Sequence, residues 1–215
     1  IKRYILVKRK DMYMKFSKPL MKKIITPEVL KWNALITAIF FLSCFACHST
    51  ENIFVYSDSL LPSYTLTFSE NDIRNIKVHA VLPLHGDTLR MSSADFEDLP
   101  KGWATFVKDL RVTDEHGDVV AIKDIGKGIW KIGDHPKIIR LDYSVAVMHD
   151  TVHWKVSAAF ARAYSIDTAV FFTGRTVFIA GNNADTFPYK ITFRLPDQWQ
   201  IVTPFEKQGN DPNSF

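Results

Sequence analysis

The chain has 215 residues, 47% of them apolar, which is enough for a buried core, and two cysteines. The formal charge of +4 is unevenly spread: of 27 Lys/Arg and 23 Asp/Glu, ten and two fall in residues 1–46, which leaves 17 and 21, a balance of −4, for the rest. That balance argues against a nucleic-acid-binding domain, and because Cys44 and Cys47 both lie in the leader, the body can form no disulfide of its own.

Residues 1–13 (IKRYILVKRKDMY) show neither a globular pattern nor a targeting signal and fit an upstream, non-native extension. From residue 14 to 47 the layout is that of a signal peptide. Lys22, Lys23 and Lys31 precede an uncharged stretch from Trp32 to Ala46 whose apolar run is too short to span a bilayer in the ordinary way. The stretch ends in Ser43-Cys44-Phe45-Ala46-Cys47, which resembles the lipobox of bacterial lipoproteins, where a small residue precedes a cysteine that is acylated. That resemblance implies lipidation at Cys47, with Cys44 as the alternative. An uncleaved membrane anchor and an ordinary signal peptide stay open beside it, and a Cys-x-x-Cys redox pair is disfavoured by the apolar setting. Residues 48–59 read as a polar tether.

The body, residues 60–205, is a succession of short alternating segments. Tyr64, Leu66 and Phe68 alternate with threonines, and after the turn formers 69–72 the alternation resumes with Ile76, Val78, Ala80 and Leu82, so a hairpin is predicted. A short strand at 88–91, a helical turn at 101–108 that tucks in Trp103, Phe106 and Val107, and a strand–turn–strand at 110–122 follow. Gly117 is assigned the positive-φ turn position. A further strand is predicted at 127–132.

Residues 138–201 are read as four strands laid side by side, around which the rest is organised. Ile139, Leu141, Tyr143, Val145 and Val147 form one face of the first. Val152, Trp154, Val156, Ala158 and Phe160 form one face of a hairpin partner. Thr176-Val177-Phe178-Ile179-Ala180 is taken as a strand buried on both faces, and Tyr189, Ile191, Phe193 and Leu195 alternate in the last. Strands every ten to fifteen residues without a long helix predict an all-β fold, an antiparallel β-sandwich preceded by a signal peptide.

No reactive constellation emerges. His149-Asp150-Thr151-Val152-His153 imitates a His-Glu-x-x-His zinc motif, but its flanks alternate with period two, and residues four apart on a strand lie on the order of 13 Å from each other. No catalytic or metal-binding residue is assigned. The acidic loop around Asp95, Glu97 and Asp98 reads as solvated turn. Gly174 is a turn glycine rather than a phosphate cradle, and Arg175 is free to meet a carboxylate, within the chain or in trans. Trp103, Trp130, Trp154 and Trp199 could stack sugars, though tryptophans at core-facing positions more often serve the core. Trp103, Trp154 and Arg175 are the candidate binding or interdomain residues.

The run Phe171–Ile179 (FFTGRTVFI), followed by Lys190-Ile191-Thr192-Phe193-Arg194-Leu195-Pro196-Asp197-Gln198-Trp199 and Ile201, resembles the N-terminal β-domain of the PDZ-containing glycyl aminopeptidase family of zinc metallopeptidases. GWATFVKDLRVTDEHGDVV and GIWKI resemble two earlier pieces of the same domain, so the likeness extends over about residues 82–205. It implies a non-catalytic domain that packs on a catalytic domain and shapes its cleft, with zinc held there, a PDZ domain beyond, and residues 206–215 as linker. With the lipobox it implies an exported, membrane-anchored lipoprotein on the periplasmic or cell-surface side, whose partners are its own C-terminal domains and the lipid membrane. The alternative is a stand-alone lipoprotein module that binds glycan or peptide.

Overall fold

The computed structural model describes residues 4–9, 61–92, 99, 101–133, 136–148, 162–182 and 188–215. Elements are numbered in chain order. The alternating segments at the start of the body form the predicted hairpin, β2 (Ser63–Ser69) and β3 (Asp72–Pro83), paired antiparallel from Ser63↔Val81 to Ser69↔Asp72. The turn end is held by Asn75, whose amide donates to both carboxylate oxygens of Asp72 at 2.9 and 3.1 Å. Strand β8 (Ile138–Ala146) pairs with β3 over nine successive residues, Asn75↔Ala146 to Pro83↔Ile138. Its other edge takes β5 (Val107–Asp114), which carries a bulge between Lys108 and Arg111. With β12 (Lys190–Arg194) on the far side, the main sheet has the order β12-β2-β3-β8-β5.

Side chains alternate across this sheet, so each register row shares a face. The row Ile191–Tyr64–Ala80–Leu141–Val112 is buried throughout, and the next row, Thr192–Thr65–His79–Asp142–Arg111, is not. One face is core and the other carries polar and charged groups.

Two smaller sheets cover the apolar face. In one, β4 (Thr88–Met91), β6 (Ile122–Gly126), β7 (Ile129–Ile132) and β11 (Ile179–Gly181) follow the order β11-β4-β7-β6. In the other, β1 (Tyr4–Arg9), β9 (Tyr164–Ile166), β10 (Ala169–Thr173) and β13 (Trp199–Val202) follow the order β13-β1-β10-β9. The buried residues of all three sheets make one hydrophobic cluster. Phe68 of the main sheet meets Phe172 of the second small sheet with ring centroids 6.1 Å apart.

The first small sheet is tied down by two buried phenols. Tyr143 donates its hydroxyl to the Val177 carbonyl at 2.9 Å and accepts the Ile179 N–H at 3.1 Å, while Tyr64 donates to the Ile179 carbonyl at 2.9 Å. Backbone groups that would otherwise be orphaned beneath the sheet are thereby satisfied. Burial pushes both phenols far above their ordinary value of 10.0, with charge repulsion between neighbouring tyrosines adding to it. At the surface, Lys101 donates to Asp124 at 2.7 Å and, with the Gly126 N–H, holds that carboxyl below its usual range.

The all-β sandwich is as expected, and several elements differ in placement. The strands of residues 138–201 do not lie side by side, because β8 already has β3 on one edge and β5 on the other; the later strands part into all three sheets. Residues 176–180 are not a continuous strand. A 3₁₀ turn, Gly174–Thr176, interrupts them, and the tyrosine hydroxyls take the backbone groups a ladder would use. Strand β12 pairs parallel with β2, so the main sheet is mixed rather than wholly antiparallel. Residues 4–9, for which no globular pattern was expected, form β1 between β10 and β13 with Ile5 and Val7 fully buried. Within 206–215, expected to be linker, Ser214 and Phe215 are buried, and Phe215 exchanges two backbone hydrogen bonds with Ile191 at 2.7 and 2.8 Å. Gly117 does take the positive φ, at 93°. The signal peptide with Cys44 and Cys47, the tether, His149, His153 and the predicted strand containing Trp154 lie outside the described residues.

Tyr143→Phe, which leaves one buried N–H and one buried carbonyl unpaired, is expected to cost about 1–3 kcal/mol, and Tyr64→Phe less; a shift of the urea midpoint at constant m measures both. The two raised phenol values also fix a sign with pH. Their stabilisation is complete below the ordinary value near 10 and is lost as pH rises above it, because the unfolded chain ionises first. Urea midpoints followed upward from pH 9 should therefore fall more steeply in the wild type than in the double Phe variant.

Candidate interdomain surface

The sequence-predicted residues fall at different depths. Trp103 sits in the 3₁₀ turn Gly102–Phe106 and is 1% exposed, its ring 6.3 Å from Phe106. Trp130 and Trp199 are buried as well, the latter donating its indole N–H to Glu70 at 3.0 Å. All three described tryptophans of the body are thus core, and Trp103 offers no face to a partner; the spacing that tucks it inward is the same one that makes the turn. Trp154 lies outside the described residues. Arg175 is exposed and its guanidinium donates to the Ser92 hydroxyl at 3.3 Å; no carboxylate pairs with it among the described residues.

Around Arg175 the chain is a tight structural turn. The Gly174 carbonyl accepts from the N–H of Val177 and Phe178 at 3.1 and 2.9 Å, and Thr176 Oγ1 donates to the Thr173 carbonyl at 2.8 Å. A Cβ on residue 174 would lie 3.2 Å from the Phe178 ring, which accounts for glycine there. Phe178 in turn belongs to an aromatic group with Tyr64, Tyr189 and Phe205, with centroid separations of 4.6 to 6.4 Å.

The surface that stands out is the outer face of the β13-β1-β10-β9 sheet. Val170 and Phe172 point into the core, so Phe171 and Tyr164, its partner on β9, point away from it. Phe171 pairs with Tyr164 on β9, ring centroids 5.0 Å apart, and is linked through β1 to Val202 on β13. The neighbouring row contains Ile166. Tyr164, Ile166 and Val202 are 43%, 50% and 51% exposed, apolar side chains on the two edge strands of a sheet side that would normally be polar, while Ala169 and Thr173 on the same side of β10 are buried. Sequence reading missed these three residues. The signal was the unbroken apolar run Ala169-Val170-Phe171-Phe172, the pattern of a strand covered on both faces. Among the described residues no group of three or more His, Cys, Asp or Glu is placed to hold a metal ion.

The sequence matches the peptidase M61 N-terminal domain over residues 63–215, most of the chain and all of the body described above except β1. The chain belongs to the peptidase M61 N-terminal domain family. Its fold is similar to that of an aminopeptidase N family protein from Idiomarina loihiensis, with a TM-score of 0.55 and 16% identity. That likeness covers 72% of this chain and 26% of that protein, so the chain spans about a quarter of its relative's length. No curated protein matches the sequence. The peptidase M61 N-terminal domain here is an all-β module.

If Tyr164, Ile166 and Val202 are kept for a partner rather than for the domain's own stability, Ile166→Thr and Val202→Thr should each change the unfolding free energy by less than about 0.5 kcal/mol. Phe172→Ala, on the opposite side of the same sheet, is expected to cost about 3–5 kcal/mol. Chemical denaturation of the three variants gives the comparison.

Proposed function

We propose that this chain is the non-catalytic N-terminal domain of a membrane-anchored, glycyl aminopeptidase-like zinc metallopeptidase. The domain packs the outer face of its β13-β1-β10-β9 sheet on a catalytic domain and helps to shape the peptide-binding cleft. The observation that carries this reading is the match over residues 63–215, which is to an N-terminal domain and not to a peptidase domain. The exposed apolar strip of Tyr164, Ile166 and Val202 supports it, because burying such a strip against a neighbour is favourable at roughly 25 cal/mol per Å². In such an enzyme the zinc would sit in the catalytic domain and activate water there. The residues of this chain contribute packing and position.

Anchoring is part of the same reading. Cys47, or Cys44, would carry the acyl chains on the periplasmic or cell-surface side, and the PDZ domain would be a further partner beyond the catalytic one. The alternative of a stand-alone glycan-binding module is less well supported, since Trp103, Trp130 and Trp199 are spent in the core and make no stacking platform.

The first test is to follow the reading frame past Phe215, where His-Glu-x-x-His and a later Glu are expected. In the protein so defined, Ile166→Asp with Val202→Asp should lower peptidase activity or loosen the two domains in limited proteolysis, with the N-terminal domain still folded. A frame without a metallopeptidase signature, or a double variant identical to wild type in both assays, would overturn the proposal. Anchoring is checked by fractionation: Cys47→Ser should release the protein from membranes, and Cys44→Ser should not.

A further inference from the structure

The second open surface has the opposite chemistry. On the main sheet the row next to His79 is Arg194–Thr67–Lys77–Ser144–Lys108, and the row on its other side is Lys190–Ser63–Val81–Arg140–Thr113. Together with Thr192–Thr65–His79–Asp142–Arg111 these give a face of three rows by five strands. The rows contain six Lys or Arg, one His, six Ser or Thr, one Val and one carboxylate, Asp142, and the exposed Asp109 lies in the β5 bulge between Lys108 and Arg111. Asp142 is occupied by His79 at 2.8 Å, and the Arg140 guanidinium donates to the Asp114 carbonyl at 2.7 Å. Lys77, Lys108, Arg111, Lys190 and Arg194 are exposed and have no ion-pair partner among the described residues. Yet the chain after residue 46 has a balance of −4. Positive charge is segregated onto this face while residues 47–215, which carry it, are net acidic.

We propose that the outer face of the five-stranded sheet is a docking surface for an anionic lipid bilayer. The charges are laid out in two dimensions. Lys190 and Arg194 stand on one edge strand, Lys108 and Arg111 on the other, and Lys77 at the centre. Five strands spaced about 4.8 Å apart put the two edges roughly 19 Å from each other, and the three rows span roughly 13 Å along the strands. A plane of phosphate headgroups meets all of these positions at once, whereas a single polyanionic strand would follow one stripe of them and leave the rest unmatched. The Ser and Thr hydroxyls between the cations are short hydrogen-bond donors suited to headgroup oxygens. A basic side chain held at an anionic membrane surface strengthens binding about fivefold, an effect that salt screens over a length of about 8 Å at physiological ionic strength. The proposal rests on the charge pattern alone and stands whether or not a cysteine is acylated.

The test uses the full chain carrying Cys44→Ser and Cys47→Ser, so that acylation contributes nothing and its failure cannot be mistaken for failure here. Sedimentation with vesicles of phosphatidylglycerol and phosphatidylcholine is compared with phosphatidylcholine alone for three proteins. These are the parent, the face variant Lys77→Glu/Lys108→Glu/Arg194→Glu, and a control reversing three exposed lysines off the face, Lys123→Glu/Lys127→Glu/Lys207→Glu. All six sites are on the surface, and equal thermal midpoints establish that the fold is kept. The face variant is expected to bind anionic vesicles at least about tenfold more weakly than the control, with little binding of any protein to neutral vesicles. Equal losses in face variant and control would overturn the proposal, since net charge or the basic leader would then account for binding. So would retention of a soluble polyanion such as heparin by the parent, lost in the face variant, with no vesicle binding; the face would then belong to a polyanionic chain.

Discussion

Nine consecutive residue pairs between β3 and β8 decide what every other element meets. Because side chains alternate at each residue, that single register puts Val78, Ala80, Leu141 and Tyr143 on one side and Lys77, His79, Arg140 and Asp142 on the other. A slip by one residue would bring the charges into the core and the apolar side chains into water, so the register is held by the whole cost of that exchange. The core and the basic surface are two consequences of one pairing.

The apolar side of this pair is then closed by two small sheets instead of one large one. Tyr64 on β2 and Tyr143 on β8, the strands that flank β3, rise from the hydrophobic face, and their hydroxyls need buried partners. The segment Val177–Ile179 supplies them through its own backbone. Spending those groups on phenols prevents the segment from continuing β10 as a ladder strand, and the Gly174–Thr176 turn redirects the chain from one small sheet to the other. What reads as a strand in the sequence is a corner of the architecture, and its glycine is set by the Phe178 ring beside it.

The two open faces have different physical requirements. The strip of Tyr164, Ile166 and Val202 gains from losing water, which fits a close neighbour such as another domain of the same protein. The basic face of the main sheet gains from remaining hydrated beside negative charge, which fits a surface met at close range without being packed into it.

Alternation made β2, β3, β4, β8 and β12 legible in the sequence, and the Asp-Glu-His-Gly turn placed Gly117 in its positive-φ position. The family likeness was legible too, because Phe171–Ile179 and the segment closing on Trp199 keep their order along the chain. The apolar strip was not, since Tyr164, Ile166 and Val202 lie on separate short strands that only register brings together. Lys77, Arg140 and Arg194 could each be seen as the wet side of a strand, but not as one face. By itself the sequence determined which residues turn inward and which outward, because that is a local property of a period-two chain. The tertiary structure decided which strands are neighbours: that β12 runs parallel beside β2, that β1 enters between β10 and β13, and that Phe215 closes on Ile191. Those choices depend on which sheet edges are already taken and on how distant apolar faces fit together, and neither is written in the spacing of any one segment.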